Sequence, residues 1–245
     1  MQNTKRCPTS GLSLILLSIT LLLGVSAHAA DLVLAEKDSC HYRVVLPDES
    51  PDQAIADALG QTGRLIQAAF KARGWEMPIV TECEHDPGNP GLYLGNTAFA
   101  RANGVDVTEL EGWNYVHKVV GRDVIIVGND EAPPSVPAGM SNRPFFYRMA
   151  TMKGATDFLR EYGGTYFLYP GRSFVPTNRY REVRYSRSLN RVNLVATPNI
   201  EYKAMQKIAV PDDLDEHKTF PIEYNFRSTR RCTLYDIANN LFPRV

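Results

Sequence analysis

The chain has no excess of charge of one sign. Its 27 Lys and Arg residues balance 27 Asp and Glu residues, so the formal net charge at neutral pH is zero. A balanced chain has no overall electrostatic attraction to nucleic acid or to anionic lipid, and we expect neither as a partner. Apolar residues make up 44% of the sequence and charged residues 22%, which argues against a disordered chain and predicts a globular protein.

The common catalytic and cofactor motifs are also missing. The sequence has neither an HExxH motif nor a pair of CxxC motifs, so the usual zinc spacings are absent. It has no GxSxG nucleophile motif, no GxxxxGK[ST] phosphate loop and no GxGxxG dinucleotide motif. Residues 82–86 group several metal-ligand residue types, but a solvated loop is the favoured interpretation. We therefore expect no catalytic residue, no cofactor and no metal site.

Residues 1–29 have the pattern of a secretory signal peptide. Lys5 and Arg6 precede an apolar run from Leu12 to Val25, and residues 27–29 fit a small-x-small cleavage site. The apolar run is shorter than the roughly 20 residues of a membrane span, although an uncleaved N-terminal anchor is the alternative. The sequence therefore predicts an exported chain, periplasmic or secreted, without stable membrane insertion after cleavage.

Cysteine is scarce after the signal peptide, with only Cys40, Cys83 and Cys232. In an oxidising compartment one pair is expected to form a disulfide. We favour Cys40 with Cys83, because each lies at the end of a predicted strand. Three free thiols are the alternative.

Helix and strand patterns alternate along the chain and predict an α+β fold, a two-layer mixed β-sheet with helices packed on one face. Helix patterns cover 50–73, 97–102 and 146–162. The first of these has Ser50 as the predicted N-cap with Pro51 at the first helical position, and Gly74 at its end. Gly163 is the predicted left-handed residue that ends the last helix.

Strand patterns fill most of the remaining chain. The clearest is a hairpin, in which Gly121-Arg122 joins the β-rich runs 113–120 and 123–127 through a two-residue loop of type II′. The second run is apolar from Val124 to Val127, which predicts a strand covered on both faces. Further strands are predicted at 32–34, 41–46, 78–81, 91–95 and 165–169, whereas residues 212–217 are predicted to form an acidic loop.

Residues 172–191 combine six arginines with two interleaved tyrosines and a single acid. This combination is found in nucleic-acid-binding segments, but the export signal argues against that function. Arginine also pairs with carboxylates, so a polyanionic glycan or a carboxylate sugar is a chemically suitable ligand. The favoured interpretation is a solvated edge hairpin, whose charges oppose strand-to-strand aggregation.

The segment GATDFLREYGGTYFLYPG at 154–171, followed by Phe174-Val175-Pro176, carries a family pattern. It resembles the N-terminal domain of alpha-glucuronidase-type glycoside hydrolases and the related domain of beta-N-acetylhexosaminidases. A hairpin like 113–127 and a turn like Gly128-Asn129-Asp130 precede the helix in both families. The similarity covers roughly residues 32–176, although Thr165-Tyr166-Phe167 replaces the Arg-Trp step that is common in the pattern.

The resemblance implies an accessory domain, a mixed sheet with helices packed on it, and not a catalytic one. In these enzymes the catalytic carboxylates lie in a larger barrel that follows. Residues 220–227 resemble the lead-in to the first barrel strand, but a barrel of this kind needs about 250 residues, so we expect none in this chain. No catalytic residue is therefore carried over.

These observations divide the sequence into a signal peptide at 1–29, an α+β domain at 30–183 and a C-terminal extension or truncated barrel lead-in at 184–245. The resemblance implies an exported, non-catalytic accessory domain associated with glycoside hydrolysis and polysaccharide degradation. The alternatives are a stand-alone carbohydrate-binding module and a small hydrolase with an unrecognised carboxylate pair. A glycan or a separate barrel-bearing chain is the expected partner, contacted through Tyr169, Arg172 and Phe174.

Overall fold

The computed structural model describes residues 31–37, 39–132, 148–169, 172–175, 181–185, 192–196 and 207–220. At 168–169 and in the strands between 172 and 196 it describes the backbone alone. The predicted signal peptide and Cys232 lie outside the described residues.

The elements alternate between strands and helices along the chain. In order they are β1 (Asp31–Glu36), β2 (Ser39–Cys40), β3 (Arg43–Leu46), α1 (Gln53–Lys71), β4 (Ile79–Thr81), β5 (Gly91–Leu94), α2 (Ala98–Ala102), a 3-10 helix (Val107–Glu109), β6 (Tyr115–Val120), β7 (Asp123–Gly128), α3 (Ala150–Glu161), β8 (Tyr166–Tyr169), β9 (Arg172–Val175), β10 (Arg181–Tyr185), β11 (Val192–Ala196), β12 (Lys207–Pro211) and β13 (Asp215–Lys218).

The central sheet has six strands in the order β13-β6-β7-β5-β3-β4. Strands β4, β3, β5 and β7 are parallel to one another, whereas β6 and β13 run antiparallel to their neighbours. This mixed sheet with its helices confirms the α+β class. The predicted hairpin is β6–β7, in which Val120 pairs with Asp123 and Gly121 has a φ of 62°, as a type II′ loop requires.

Both faces of the central sheet are covered. Because successive side chains of a strand point to opposite faces, the sheet divides its apolar residues into two groups. Leu92, Val124 and Ile126 pack into the larger core with α1 and α3. Tyr93 and Ile125 pack on the other face, with α2 and the 3-10 helix. The two long helices therefore lie on one face, as predicted, and the short helix α2 lies on the other.

Helix α1 begins two residues later than predicted. Its N-cap is Asp52, whose carboxylate accepts the Ala54 N–H at 2.6 Å, and not Ser50. The Ser50 hydroxyl instead donates to the Asp52 carbonyl at 3.0 Å, so Pro51 precedes the cap and does not open the helix. A carboxylate is as good an N-cap as a hydroxyl, and here it is the one placed next to the free amides.

The end of α3 also differs from the prediction. The left-handed residue is Gly164, with a φ of 55°, and not Gly163. Gly163 is required for a different reason, since a Cβ there would lie 2.7 Å from the Leu159 carbonyl oxygen. The Thr165 N–H donates to that same oxygen at 2.8 Å, and the Arg73 guanidinium donates to the Gly163 carbonyl, which ties α1 to the end of α3.

Strand β12 returns to the start of the domain. It pairs antiparallel with β1, and β1 pairs with β2, which makes a three-stranded sheet whose Leu34 and Ile208 enter the larger core. Residues 184–245 were predicted to be a C-terminal extension or a truncated barrel lead-in. The predicted boundary at residue 183 lies within β10, and β12 and β13 of that segment pair with β1 and β6. The described part of that segment is therefore integral to the fold.

Strand β13 replaces part of the predicted acidic loop at 212–217. Its residues Asp215 and Glu216 pair with Lys118 and His117 of β6. Lys118 Nζ lies 3.4 Å from an Asp215 carboxylate oxygen. The acidic residues form a strand here because a basic partner lies opposite them, and opposite charges across a strand pair stabilise the pairing.

Strands β8 to β11 form a separate four-stranded antiparallel sheet, which includes the described parts of the Arg-rich segment, 172–175 and 181–185. In β8, Phe167 is buried in the larger core, whereas Tyr166 is 53% exposed. These neighbours point to opposite faces, as the predicted strand alternation requires.

Candidate functional site

The topology of the central sheet places a crevice at the carboxyl ends of β3 and β5. These strands are parallel neighbours, but the chain leaves β3 for α1 on one face and leaves β5 for α2 on the other. Where two such connections diverge, a crevice opens outside the ends of the strands, and open α/β sheets bind their ligands there.

A cavity of about 230 Å³, the β3–β5 crevice, occupies this position. Its lining comes from the residues that follow β3, β5 and β7, together with α1, α2 and the 3-10 helix. The polar lining residues are Glu49, Ser50, Asn96, Arg101, Asn129 and Asp130. The apolar ones are Pro47, Pro51, Ile55, Leu59 and Val107.

Gly128 at the end of β7 brings helix α3 against the sheet. A Cβ at Gly128 would lie 2.5 Å from the Ala150 Cβ and 2.8 Å from the Thr151 nitrogen, so only glycine allows this approach. The Gly128 N–H donates to the Thr151 hydroxyl at 3.0 Å. The next residue, Asn129, donates from Nδ2 to the Leu110 carbonyl at 2.8 Å and so holds the segment after the 3-10 helix.

Asp130 caps α3 from outside the helix. The N-cap position is Met149, which has no side-chain cap bond, and the Asp130 Oδ1 accepts the Thr151 N–H at 2.8 Å in its place. Burial raises the pKa of Asp130 to about 6, although its bonds from Thr151 and the nearby Arg148 act in the opposite direction. A half-buried carboxyl that titrates near neutral pH therefore lies in the wall of the crevice.

The opposite wall is built around the start of α2. Thr97 caps the helix by accepting the Ala100 N–H at 3.1 Å, and the Glu82 carboxylate accepts the Ala98 and Phe99 N–H groups at 2.9 Å each. Arg101 donates from Nη1 to the Asn96 carbonyl at 2.7 Å, which holds its guanidinium beside the crevice.

A second group of polar residues lies inside the fold and is called the Asp157 network here. Lys153, whose side chain is fully buried, forms an ion pair with Asp157, and the Tyr115 hydroxyl donates to the same carboxylate at 2.6 Å. Arg160 lies 3.1 Å from the other Asp157 oxygen. Burial lowers the pKa of Lys153 and raises the pKa of Tyr115. These groups hold α3 against β6.

His117 extends the Asp157 network toward β13. Its Nε2 lies 2.9 Å from the Gly154 carbonyl, and its Nδ1 lies 3.8 Å from a Glu216 oxygen. Neither that Nδ1 nor that Glu216 oxygen has a hydrogen-bond partner among the described residues. Burial lowers the pKa of His117 to about 4, so the ring is neutral at physiological pH.

The sequence did not single out the crevice or the Asp157 network. Asp130 was noted only as part of the family-like turn, and Lys153 and His117 were not noted as a pair, because both groups depend on contacts between distant elements. A signal was present for Lys153 and Asp157, which stand at the i,i+4 spacing that allows a helical ion pair.

The predicted contact residues lie elsewhere, on β8 and β9. Tyr169 pairs with Arg172 in the backbone register, and Phe174 pairs with Tyr166. The structure therefore brings the three residues to one hairpin. Their side chains are outside what the structure describes, and Tyr166 is the described aromatic side chain exposed at this hairpin.

Cys40 and Cys83 do not form the predicted bridge in the structure, where both are free thiols. They belong to different parts of the fold, since Cys40 ends β2 in the three-stranded sheet and Cys83 follows β4 at the edge of the central sheet. The Cys83 sulfur instead lies 3.2 Å from the Thr81 hydroxyl. Burial raises the pKa of the Cys40 thiol, which keeps it protonated.

Among the described residues, no group of three or more His, Cys, Asp or Glu side chains is arranged to hold a metal ion. The helices of the described chain include none with the length and apolar character needed to cross a membrane. Comparison with family models and with curated proteins finds no match to this chain.

Proposed function

We propose that this chain is an exported, non-catalytic accessory domain that supports glycan degradation by binding and not by hydrolysis. The family-like sequence segment motivates the glycan association. The mixed sheet with two long helices on one face agrees with the architecture that the resemblance implies.

The non-catalytic part of this proposal rests on the structural roles of the residues in the family-like segment and in the turn that precedes it. Gly128 admits α3 to the sheet, and Asp130 caps that helix. A Cβ at Gly154 would meet the Tyr115 ring at 3.0 Å, so this glycine packs α3 against β6. Phe158 and Leu159 are fully buried in the larger core. The pattern therefore builds a helix-on-sheet unit and does not assemble reacting groups.

A specific observation favours one rival, a small hydrolase. Glu49 and Asp130 line the same crevice, and the raised pKa of Asp130, about 6, is of the kind that suits a general acid. A pair of carboxylates is the basic requirement for glycoside hydrolysis. The capping bond from Thr151 gives Asp130 a structural role that needs no reaction, which is why the accessory function is preferred.

Activity assays separate the two functions. We expect the purified chain to show no turnover of aryl glycosides of glucuronic acid, N-acetylhexosamine and xylose. Turnover that Glu49→Gln or Asp130→Asn abolishes, and that the exposed control Glu109→Gln leaves intact, would overturn the accessory function and establish the hydrolase.

Export is tested with the full chain carrying a C-terminal tag in a bacterial host. We expect a product outside the cytoplasm that begins at Ala30, because the pattern at 27–29 is a cleavage site. A full-length product confined to the cytoplasm contradicts the proposal.

The partner surface is proposed to be the β8–β9 hairpin, where Tyr166 is 53% exposed beside the predicted contact residues. Exposed aromatic area of this kind favours association with a glycan, with a barrel-bearing chain or, when the chain is alone, weakly with a second copy of itself. Sedimentation of the wild type beside a Tyr169→Ser/Phe174→Ser variant tests it, with weak self-association expected for the wild type alone. A strictly monomeric wild type at all accessible concentrations would count against the hairpin.

A further inference from the structure

The β3–β5 crevice lies where open α/β sheets bind ligands, and no part of the proposed function uses it. It lies at the divergence of the connections after β3 and β5, where the cavity is found. The topology and the cavity are independent observations, because the first follows from strand order and the second from side-chain shape. Both favour a binding site at this edge of the sheet.

The walls of the crevice are set by structure before any ligand arrives. Asp130 is fixed by its bond to the start of α3, and Asn129 by its bond to the Leu110 carbonyl. On the other side, Arg101 is held by the Asn96 carbonyl. Polar groups that are already held by other residues lose little side-chain entropy when a ligand binds. The few contacts of a small ligand are therefore enough for binding.

The lining chemistry selects the class of ligand. Two carboxylates, from Glu49 and Asp130, face a single guanidinium from Arg101, so an anionic ligand meets net repulsion. None of the described lining residues is aromatic, so a nucleobase has no stacking surface. The carboxylates and the amides of Asn96 and Asn129 instead supply many acceptors, which suit a ligand rich in hydroxyl donors.

The size of the cavity limits that ligand to a small molecule. At about 230 Å³ it lies below the roughly 300–1,000 Å³ of pockets for drug-sized ligands. Ile55, Leu59 and Val107 supply an apolar side against which the C–H face of a ring packs.

We propose that the β3–β5 crevice binds one small, neutral, polyhydroxylated ring. This deepens the proposed function, because it gives the accessory domain a ligand of its own, and it rests on that function for the choice of sugars as probes.

Ligand-observed NMR and calorimetry with the purified full chain test the proposal. The probes are glucose, xylose and N-acetylglucosamine as neutral sugars, myo-inositol as a neutral ring that is not a sugar, and glucuronate as an anionic ring. We expect saturation transfer to the neutral rings, and binding of glucuronate at least tenfold weaker than that of glucose. Glucuronate binding as tight as glucose overturns the ligand class.

Variants locate the binding in the crevice. Val107→Trp fills the cavity and is expected to abolish binding, whereas Glu49→Gln is expected to weaken it about fivefold, the equivalent of one hydrogen bond. Glu109→Gln, an exposed glutamate outside the lining, should leave binding unchanged. Because Glu49 is exposed, its variant keeps the fold even if Val107→Trp does not.

The outcomes also separate this inference from the proposed function. Binding of myo-inositol with no binding of any sugar supports the crevice and counts against the glycan association. Sugar binding that persists in Val107→Trp with a native fold supports the glycan association and overturns the crevice. An absence of saturation transfer to every neutral ring overturns the crevice as well.

Discussion

As the pH falls, the contributions of Asp130 and His117 to the stability of the folded state change in opposite directions over the same pH range. The pKa of Asp130 is about 6 in the folded protein, above the roughly 3.9 of an unperturbed aspartate. The folded state therefore takes up its proton first, and this residue adds stability as the pH falls from 6 to 4. The pKa of His117 is about 4, below the roughly 6.5 of a free histidine, so its contribution is lost as the pH falls across that interval.

Replacement of Asp130 by asparagine should remove the gain in stability that this residue contributes at acidic pH. Asparagine keeps an oxygen to cap α3 but does not titrate. Between pH 7.5 and pH 4.5, urea unfolding is expected to show that the wild type gains about 1–2 kcal/mol of stability relative to Asp130→Asn. The control is Asp106→Asn. Bonds from Thr108 lower the pKa of Asp106, so its contribution has the opposite sign. Identical pH profiles for wild type and Asp130→Asn would show that Asp130 is not buried as described.

Replacement of His117 by glutamine should remove the loss of stability that this residue causes at acidic pH. Glutamine keeps a donor for the Gly154 carbonyl, and it has no proton to take up near pH 6. Burial is the largest effect and lowers the pKa of the ring, Lys218 lowers it further, and the Gly154 carbonyl, Glu216 and Asp157 raise it. Between pH 7 and 4.5 we expect the wild type to lose about 2 kcal/mol more than His117→Gln. His217→Gln, whose side chain is 62% exposed, is the control and should follow the wild type.

At the scale of elements, the docking of α3 on β7 depends on the absence of one side chain. Gly128→Ala places a Cβ against Ala150 and the Thr151 nitrogen, and neither belongs to a flexible side-chain end. Helix α3 must shift, and overpacking of this kind costs about 1–3 kcal/mol. The control is Gly121→Ala, where φ is positive but nothing lies within 4 Å of the added Cβ. It should cost about 1 kcal/mol through backbone strain alone. A melting temperature for Gly128→Ala equal to that of the wild type would contradict this view of α3.

Local patterns predicted most elements but not their exact ends. The apolar stripe of α1 and the Gly-x loop of β6–β7 are signals within one element, and the structure has both close to the predicted positions. The start of α1 was missed because Ser50, Pro51 and Asp52 each suit a helix start, and only the geometry selects Asp52. The cap of α3 was missed because it comes from Asp130, which precedes the helix by a whole connection.

At the scale of the whole molecule, β12 and β13 close the edges of two sheets. Strand β12 covers β1, and β13 covers β6, which is otherwise an edge strand. Exposed edges are templates for pairing with other chains. A chain that ends at residue 206 is therefore expected to self-associate and to melt at a lower temperature than one that ends at residue 220, which keeps both strands. Light scattering after size exclusion, with thermal melts, compares them. Two monomeric products of equal stability would contradict the role of these strands.

These long-range pairings could not be predicted from the sequence. An acidic run such as 212–217 is as suitable for a loop as for a strand, and its pairing with β6, where Lys118 lies opposite Asp215, decides between them. The crevice has the same origin, because its lining comes from segments that follow three different strands. What the sequence predicted well was each local unit, whereas the assembly of those units depends on contacts across the chain.

The pairing of Leu32 with Val210 also sets the timing of folding. The three-stranded sheet cannot be completed until β12 has been synthesised, and at about 5–20 residues per second β1 waits roughly ten to thirty seconds for this second partner. Contacts so distant in sequence also slow the search for the native state. A sheet that closes this late would suit the proposed export, in which the chain crosses the membrane before it folds.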